Sequence, residues 1–234
     1  MNKSKIVVSI VLLVYLSFVV FQFSSNDYWA QVFDSLLLPL ITLAYFIGDA
    51  KKNLFFTIFL LCYSIADLMI FVTDLIPYQM YYFVGNGLYI AAYFSLLIKI
   101  LKSVSFIHII KNFKLHLLVL VALDIYIAYV LQIIVNPYLE ITNEYITELV
   151  YDISMLLVLT ASLLNYFYRD DKKSLFLFLG SLSIVFSEVL SVAYMYVAQQ
   201  NLLSFLTTTL TLLAFYFYSK QSSLNNEEVN QYAS

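Results

Sequence analysis

This chain of 234 residues has little of what water-soluble domains and disulfide-stabilised proteins depend on. Charged residues make up only 12% of it, and it contains four glycines, three prolines and one cysteine. Soluble domains carry about 25% charged residues, so this composition does not cover a surface that faces water. The single cysteine, Cys62, excludes an intramolecular disulfide and a cysteine-based metal site.

Metal and nucleic-acid binding are not predicted either. The two histidines, His108 and His116, fall in or beside a lysine-rich loop with no cysteine or carboxylate near them, which favours a place at the membrane interface. No basic run indicates a nucleic-acid partner. We therefore expect no metal, no cofactor and no nucleic acid, and the sequence does not define an oligomeric state.

What the chain has in excess is apolar residues, which make up 62% of it and give a mean hydropathy of +0.87. A helix needs about 20 apolar residues to cross a bilayer with its backbone polar groups paired. Eight segments satisfy this, at residues 6–23, 32–48, 54–73, 80–98, 115–134, 148–168, 174–197 and 202–219. The sequence therefore predicts an all-α polytopic membrane bundle of eight transmembrane helices over residues 1–219, and a polar, disordered tail over 220–234.

The orientation follows from the positive charges. The first span begins after Lys3 and Lys5, as a signal peptide does, but no small-residue cleavage site follows, so we interpret it as uncleaved. With eight spans, all 12 lysines and arginines fall at the two termini or in the loops after spans 2, 4 and 6. The other loops carry only acids: Asp27, Asp74, Glu140 and Glu144. Because positive residues collect on the cytoplasmic side, we expect both termini in the cytoplasm and the protein in a bacterial inner (plasma) membrane.

Several carboxylates lie within the predicted spans, where each costs about 2.5–3.5 kcal/mol on insertion scales. Asp34 is near a span end and is interpreted as interfacial. Asp67 and Glu188 each lie about 13 or 14 residues, or roughly 20 Å, into spans that start on the cytoplasmic side. The prediction places both at matched depth in the outer half of the membrane. Asp124 falls near mid-depth in span 5, and Asp152 near the outer end of span 6.

Polar neighbours at helical spacing accompany these acids. Tyr63 and Ser64 share the helix face of Asp67, and span 4 carries one polar stripe, made of Tyr82, Asn86, Tyr89 and Tyr93. Such residues also hold helices together in lipid, with the acids protonated, and that interpretation stays open. For Asp67 and Glu188 a functional role is favoured, because no lysine or arginine inside a span pairs with them.

The two halves of the chain resemble each other around these acids. The run Ser-Ile-Ala-Asp-Leu ending at Leu68 is similar to Phe-Ser-Glu-Val-Leu ending at Leu190, and each lies in the third span of its half. Internal repeats in membrane proteins often place a shared site at the repeat interface. We therefore hold a four-plus-four internal duplication as a hypothesis.

These motifs resemble the YhhN family of multi-pass membrane proteins, which has eight spans. The family pattern of a serine shortly before Gly-Asp in span 3 reads here as Ser64-Ile65-Ala66-Asp67, with alanine for glycine. The Phe-x-x-Gly run of span 4 is matched loosely by Phe83 and Gly85, and Tyr93 stands at the family's histidine position. In the second half, Tyr151, Gly180-Ser181 and Ser187-Glu188 occupy the places of the family's tyrosine, Gly-Ala and Ser-Asp.

The resemblance implies a lysoplasmalogenase-like hydrolase, which cleaves the vinyl ether of a lysoplasmalogen to a fatty aldehyde and a glycerophospho-headgroup. A vinyl ether hydrolyses after protonation of its β-carbon, which needs one carboxylic acid and one carboxylate, and two buried acids with divergent environments provide them. Asp67 and Glu188 are the candidate catalytic residues. The candidate substrate-binding residues are Tyr63, Ser64, Asn86, Tyr89, Tyr93, Tyr151, Asp152 and Ser187.

Two departures from the family pattern keep other interpretations open. Glu188 replaces an aspartate, and shifting a catalytic carboxyl by about 1 Å can cost about 10²-fold in rate. Tyr93 replaces a histidine that could move protons. One alternative is a relative that acts on another ether or ester lipid, or a non-catalytic relative. The others are a proton-coupled carrier or lipid-binding protein that uses the same intramembrane acids, and a structural membrane protein whose acids only join helices.

Overall fold

The computed structural model describes residues 3–24, 26–48, 52–103, 111–139 and 142–224. Within these residues, eight helices are long and apolar enough to cross a membrane. They are α1 (Lys3–Phe23), α2 (Asp27–Ile47), α3 (Leu54–Leu68), α4 (Tyr78–Leu101), α5 (Lys114–Val135), α6 (Thr142–Arg169), α7 (Lys172–Tyr196) and α8 (Asn201–Ser223). The predicted fold class, an all-α eight-helix membrane bundle, is confirmed.

Several helices extend beyond the predicted spans. Helix α2 begins at Asp27 and α6 at Thr142, because backbone hydrogen bonding continues through polar turns that hydropathy excludes. Helix α8 continues to Ser223, so the predicted polar tail starts as helix, while residues 225–234 lie outside the described residues. Helix α3 is followed by a 3₁₀ segment, Met69–Leu75, which the sequence does not predict.

The turn between α6 and α7 shows how polar side chains fix a helix end. Asp171 forms a capping box with Ser174, accepting a hydrogen bond from its backbone N–H, and pairs with Arg169 at 3.0 Å. Partial burial raises the pKa of Asp171, but the hydrogen bonds from Ser174 and Arg169 outweigh burial and leave the pKa below its usual value. The cap keeps the connection short, so α6 and α7 pack as antiparallel neighbours.

Six helices form a closed ring in the order α2, α3, α4, α6, α7, α8, with α8 packing back on α2. Helix α1 packs outside the ring against α2 and α8, and α5 packs outside it against α6 and α7. A repeat of four helices predicts equivalent partners for α1 and α5, yet α1 contacts α8 whereas α5 contacts α7. These contacts do not support the four-plus-four duplication, which stays a prediction.

The two ends of the bundle differ in charge. The described lysines lie at one end of the bundle, which we call the lysine-rich face and which includes Lys52, Lys99, Lys114, Lys172 and Lys220. The opposite lysine-free face contains the connections around Asp27, Asp74 and Tyr138. Consecutive helices joined by short connections run antiparallel, so alternate connections lie at opposite ends of the bundle. The positive residues, which occur in every second connection, therefore collect at one end.

Aromatic side chains fill the interior towards the lysine-rich face. Phe59, Phe215 and Tyr218 are at most 2% exposed, and the Phe59 ring lies 5.4 Å from Phe215 and 5.5 Å from Tyr218 between centroids. Gly180 allows this packing, because a Cβ there would lie only 2.7 Å from the ring carbons of Tyr218. Helices α7 and α8 therefore pack closely, and this part of the ring has no open centre.

Candidate functional site

Towards the lysine-free face, the ring encloses a cavity of about 490 Å³ lined by all six of its helices. The cavity reaches that face, because its lining includes Tyr78 at the start of α4 and Tyr196 at the end of α7. Tyr78 is 60% exposed. The central site is therefore accessible from one side of the bundle, and we refer to this space as the central cavity.

Carboxylates and tyrosines dominate the polar lining of the central cavity. The carboxylates are Asp34, Asp67, Glu148, Asp152 and Glu188. The tyrosines are Tyr63, Tyr78, Tyr81, Tyr82, Tyr89, Tyr151 and Tyr196. Among the described residues, no lysine, arginine or histidine lines this space. The hydrogen bonds that hold these acids must therefore come from neutral donors.

Glu188 is held by two tyrosines from different helices. Its Oε1 accepts a hydrogen bond from the Tyr63 hydroxyl at 2.6 Å and from the Tyr93 hydroxyl at 2.8 Å. Tyr63 is 5% exposed and Tyr93 is fully buried, so neither ring can turn away easily. Two hydroxyl donors from different helices therefore converge on one carboxyl oxygen, which accepts both hydrogen bonds.

Asp67 accepts one hydrogen bond, from the Tyr89 hydroxyl to Oδ1 at 2.6 Å. The ring of Tyr89 lies against that of Tyr63, with 4.7 Å between centroids. Two touching tyrosines thus connect the carboxyl groups of Asp67 and Glu188, and both acids line the central cavity. The two acids therefore share one cavity, and their catalytic role stays a prediction.

Four tyrosines form a closed cluster beside the acids. Tyr63 contacts Tyr89 and Tyr93, and Tyr151 contacts the same two, with centroid distances of 4.7, 6.1, 6.1 and 5.7 Å. All four contacts are edge-to-face, the geometry that the charge distribution of aromatic rings favours. Because α3, α4 and α6 each contribute to the cluster, the packing of three helices orients the hydroxyls.

The backbone changes at Asp67. This residue is the last but one of α3, and Met69 begins the 3₁₀ segment, its N–H shared between the carbonyls of Ala66 and Ile65. Short 3₁₀ stretches within a long helix often occur at functional positions. No proline or glycine between residues 64 and 75 indicated it, so the sequence offered no local signal for this feature.

The other predicted binding residues divide into those at the cavity and those away from it. Tyr63, Asn86, Tyr89, Tyr151, Asp152 and Ser187 line the central cavity. Tyr93 lies behind its wall and reaches it through Glu188. Ser64 lies elsewhere: its hydroxyl is 2.6 Å from that of Thr42, which joins α3 to α2. Ser64 therefore lies at a helix–helix contact outside the cavity lining.

The sequence interpretation missed two acids of the cavity. Asp34, interpreted as interfacial, lines the central cavity and accepts a hydrogen bond from Thr208 of α8 at 2.9 Å. Glu148 stood at the edge of a predicted span, yet it lines the cavity and accepts from Tyr82 at 2.6 Å. The polar stripe containing Tyr82 was the available signal for Glu148. Asp34 had none, because helix rotation decides which way it faces.

His116 and Asp124, which the sequence analysis also considered, lie outside the lining of the central cavity. His116 packs against Phe113 and Phe167, with ring centroids 5.9 and 5.4 Å away. His108 falls outside the described residues. Asp124 accepts from Thr160 at 2.7 Å between α5 and α6. Within the described part of the chain, no three histidines, cysteines or acids are grouped to hold a metal ion.

Fold and site together define an integral membrane protein of the polytopic helical class, with an acidic, tyrosine-lined cavity open towards its lysine-free face. No family model, curated protein or solved structure gives a significant match to the chain. What the protein does must therefore be argued from the central cavity itself.

Proposed function

We propose that this protein is a membrane-embedded hydrolase of ether lipids, similar to the lysoplasmalogenases of the YhhN family. The observation that supports this most is the placement of Asp67 and Glu188 in one cavity, connected through Tyr89 and Tyr63. Enzymes that cleave acetal-like bonds commonly use two such carboxyl groups, one as acid and one as carboxylate. The proposal includes a bacterial inner membrane and cytoplasmic termini.

The reaction needs one proton and one water molecule. Protonation of the β-carbon of the vinyl ether converts the double bond to an oxocarbenium ion at the α-carbon. Water adds to that carbon and loses a proton, and the resulting hemiacetal breaks its C–O bond to the glycerol. The products are a fatty aldehyde and the glycerophospho-alcohol. A carboxyl group that donates the proton and a carboxylate that stabilises the cation are sufficient for this sequence.

The hydrogen bonds support one distribution of these two roles within the proposal. In this proposal Glu188, which accepts two phenol O–H groups on one oxygen, is the group that stabilises the cation. Asp67 accepts only one, from Tyr89, so it is the better candidate for the group that holds and donates the proton. Deprotonated Asp67 then recovers its proton from the water that adds.

The two residues that differ from the family pattern, Tyr93 and Glu188, contact each other. Tyr93, at the histidine position, donates to Glu188, at the aspartate position, over 2.8 Å. The additional methylene of a glutamate extends its carboxyl group, and here that group is met by a phenol that lies at the back of the cavity. A paired change of this kind preserves a hydrogen-bonded carboxylate, which supports a retained hydrolytic site.

A second candidate, a proton-coupled carrier, is favoured by the acids that have no cationic partner in the cavity lining. A carrier also needs access from the other side. The buried rings of Phe59, Phe215 and Tyr218 close the bundle between the central cavity and the lysine-rich face. Counterflow in proteoliposomes separates the two functions, since a carrier moves the lipid intact and a hydrolase releases aldehyde.

The proposal is tested by assaying purified protein for aldehyde release from a lysoplasmalogen. We expect Asp67→Asn and Glu188→Gln each to lower kcat by about 10²–10⁴-fold, the contribution typical of acid–base groups. Asp74→Asn is the matched control, because Asp74 is exposed on the 3₁₀ segment and lies outside the cavity lining. Wild-type turnover in both cavity variants would show that the hydrolase proposal is wrong.

A further inference from the structure

A second concave surface lies on the outside of the ring, along the contact between α5 and α6. This groove has a volume of about 450 Å³, and apart from two residues of α5, Asp124 and Gln132, and two tyrosines its lining is aliphatic. It is open to the surroundings of the bundle, since Ile125 of α5 is 66% exposed and Ile153 of α6 is 44% exposed. We refer to it as the α5–α6 groove.

The length of the groove is close to the thickness of the hydrocarbon part of one leaflet. It extends along α5 from Gln132 near the lysine-free face to Val121, which is about 16 Å at 1.5 Å per residue. Half of a bilayer core of about 30 Å measures about 15 Å. Because Asp124 lies near mid-depth of its span, the groove begins just past the middle of the bilayer and meets mainly the hydrocarbon of the leaflet on the lysine-free side.

One hydrogen bond connects the groove to the central cavity. Gln132 lines the groove, and its Nε2 donates to Oδ2 of Asp152 at 2.9 Å, while Asp152 lines the central cavity. The wall between the two spaces at this point therefore consists of two polar side chains. Both are nearly buried, with exposed fractions of 6% for Gln132 and 5% for Asp152.

The side-chain amide of Gln132 makes only part of the hydrogen bonds that it can form. Its Oε1 is buried and has no hydrogen-bond donor among the described residues. A buried acceptor that lacks a donor costs about 1–3 kcal/mol. The closed arrangement of Gln132 therefore carries an energetic penalty that a movement of this side chain relieves. By contrast Asp124, farther along the groove, is satisfied by Thr160.

We propose that the α5–α6 groove binds the single hydrocarbon chain of a lipid whose polar end enters the central cavity at Gln132 and Asp152. The inference rests on the proposed function in one respect, namely that this lipid is the substrate of Asp67 and Glu188. In the bound state, the unbranched chain lies along the aliphatic groove in place of a bilayer lipid. The polar end leaves the membrane and lies in the central cavity, which is lined by carboxylates and hydroxyls. The groove thereby provides the lateral access that a substrate confined to one leaflet needs.

The test uses a lysolipid with a photoactivatable diazirine near the end of its chain, and the full-length protein. We expect labelled peptides from α5 and α6 in the wild type and in the Asp67→Asn/Glu188→Gln double variant, which keeps the groove. Ile153→Trp fills the groove and is expected to lower labelling about tenfold, equivalent to losing burial of about two methylenes. Leu157→Trp, towards the other end of the groove, should act in the same way.

Ile133→Trp is the matched control, because Ile133 is 55% exposed on α5 and lies outside the groove lining. It should keep wild-type labelling. Labelling that is absent from α5 and α6, or unchanged in both Ile153→Trp and Leu157→Trp, overturns the inference even if the protein hydrolyses the lipid. Groove labelling that responds to these variants in a protein without hydrolytic activity supports the chain site and removes the proposed function.

Discussion

Glu188 shows how an acid is kept in place in a cavity whose described lining contains no positive side chain. Two phenol groups replace the lysine or arginine that a soluble protein would use, and both belong to buried rings. Hydrogen bonds to a charged group contribute about 1.5–3 kcal/mol each, so removing one leaves the carboxylate poorly stabilised. The acid and its tyrosines therefore act as one unit.

A prediction at this scale concerns the two hydroxyls. Tyr63→Phe and Tyr93→Phe keep the ring contacts but each remove one donor to Glu188. We expect each to lower kcat roughly tenfold, which corresponds to 1.4 kcal/mol. Steady-state assays on a lysoplasmalogen measure this. Tyr15→Phe, which breaks a 2.8 Å bond to Thr209 between α1 and α8, is the control and should keep wild-type kcat. Unchanged kcat in both cavity variants contradicts the role given to Glu188.

At the scale of elements, small residues and short caps decide how closely the helices approach. Gly180 of α7 lies under the ring of Tyr218 of α8. The Tyr218 hydroxyl donates a hydrogen bond at 3.2 Å to Ser181, the residue after Gly180 on α7. The close contact between α7 and α8 fixes the position of Glu188, two turns further along α7. A packing residue distant from the cavity thus contributes to its geometry.

We predict that Gly180→Ala destabilises the protein. Its Cβ would meet Tyr218 at 2.7 Å, and overpacking a fixed interior typically costs about 1–3 kcal/mol. Thermal unfolding in detergent should show a lower Tm. Gly87→Ala on α4 is the control, because nothing lies within 4 Å of its added Cβ and alanine is the better helix former. A Tm for Gly180→Ala at or above that of Gly87→Ala is inconsistent with the tight α7–α8 contact.

At the scale of the whole molecule, the two faces have different compositions and different interiors. The central cavity opens on the lysine-free face, and aromatic packing closes the lysine-rich face. If positive charge marks the cytoplasmic side, the central cavity opens on the outer side and most of the α5–α6 groove lies in the outer half of the membrane. The site then meets outer-leaflet lipid.

This orientation is testable by cysteine labelling in a Cys62→Ser background. Asp74→Cys on the lysine-free face should react with a membrane-impermeant maleimide in intact cells, and Lys220→Cys on the lysine-rich face should react only after permeabilisation. Both side chains are exposed, so access through the membrane is the difference between them. The reverse pattern of labelling would mean that the topology is inverted.

The number of spans is a property that each segment carries by itself. A run of about 20 apolar residues must become a helix in lipid, wherever its neighbours lie. Helix ends were less accurate, as at Asp27 and Thr142, because polar turns extend a helix without adding to its hydropathy. The depth of Asp67 and Glu188 also followed from counting residues along a helix of constant rise.

The sequence by itself determined the eight spans, the charge difference between the faces, and Asp67 and Glu188 as acids in need of an explanation. Only the tertiary structure decided that these two acids share a cavity, that Asp34 and Glu148 join them, and that Ser64 does not. The reason is physical: hydropathy and charge add up along a segment, whereas the direction in which a side chain points depends on how its helix is rotated against its neighbours.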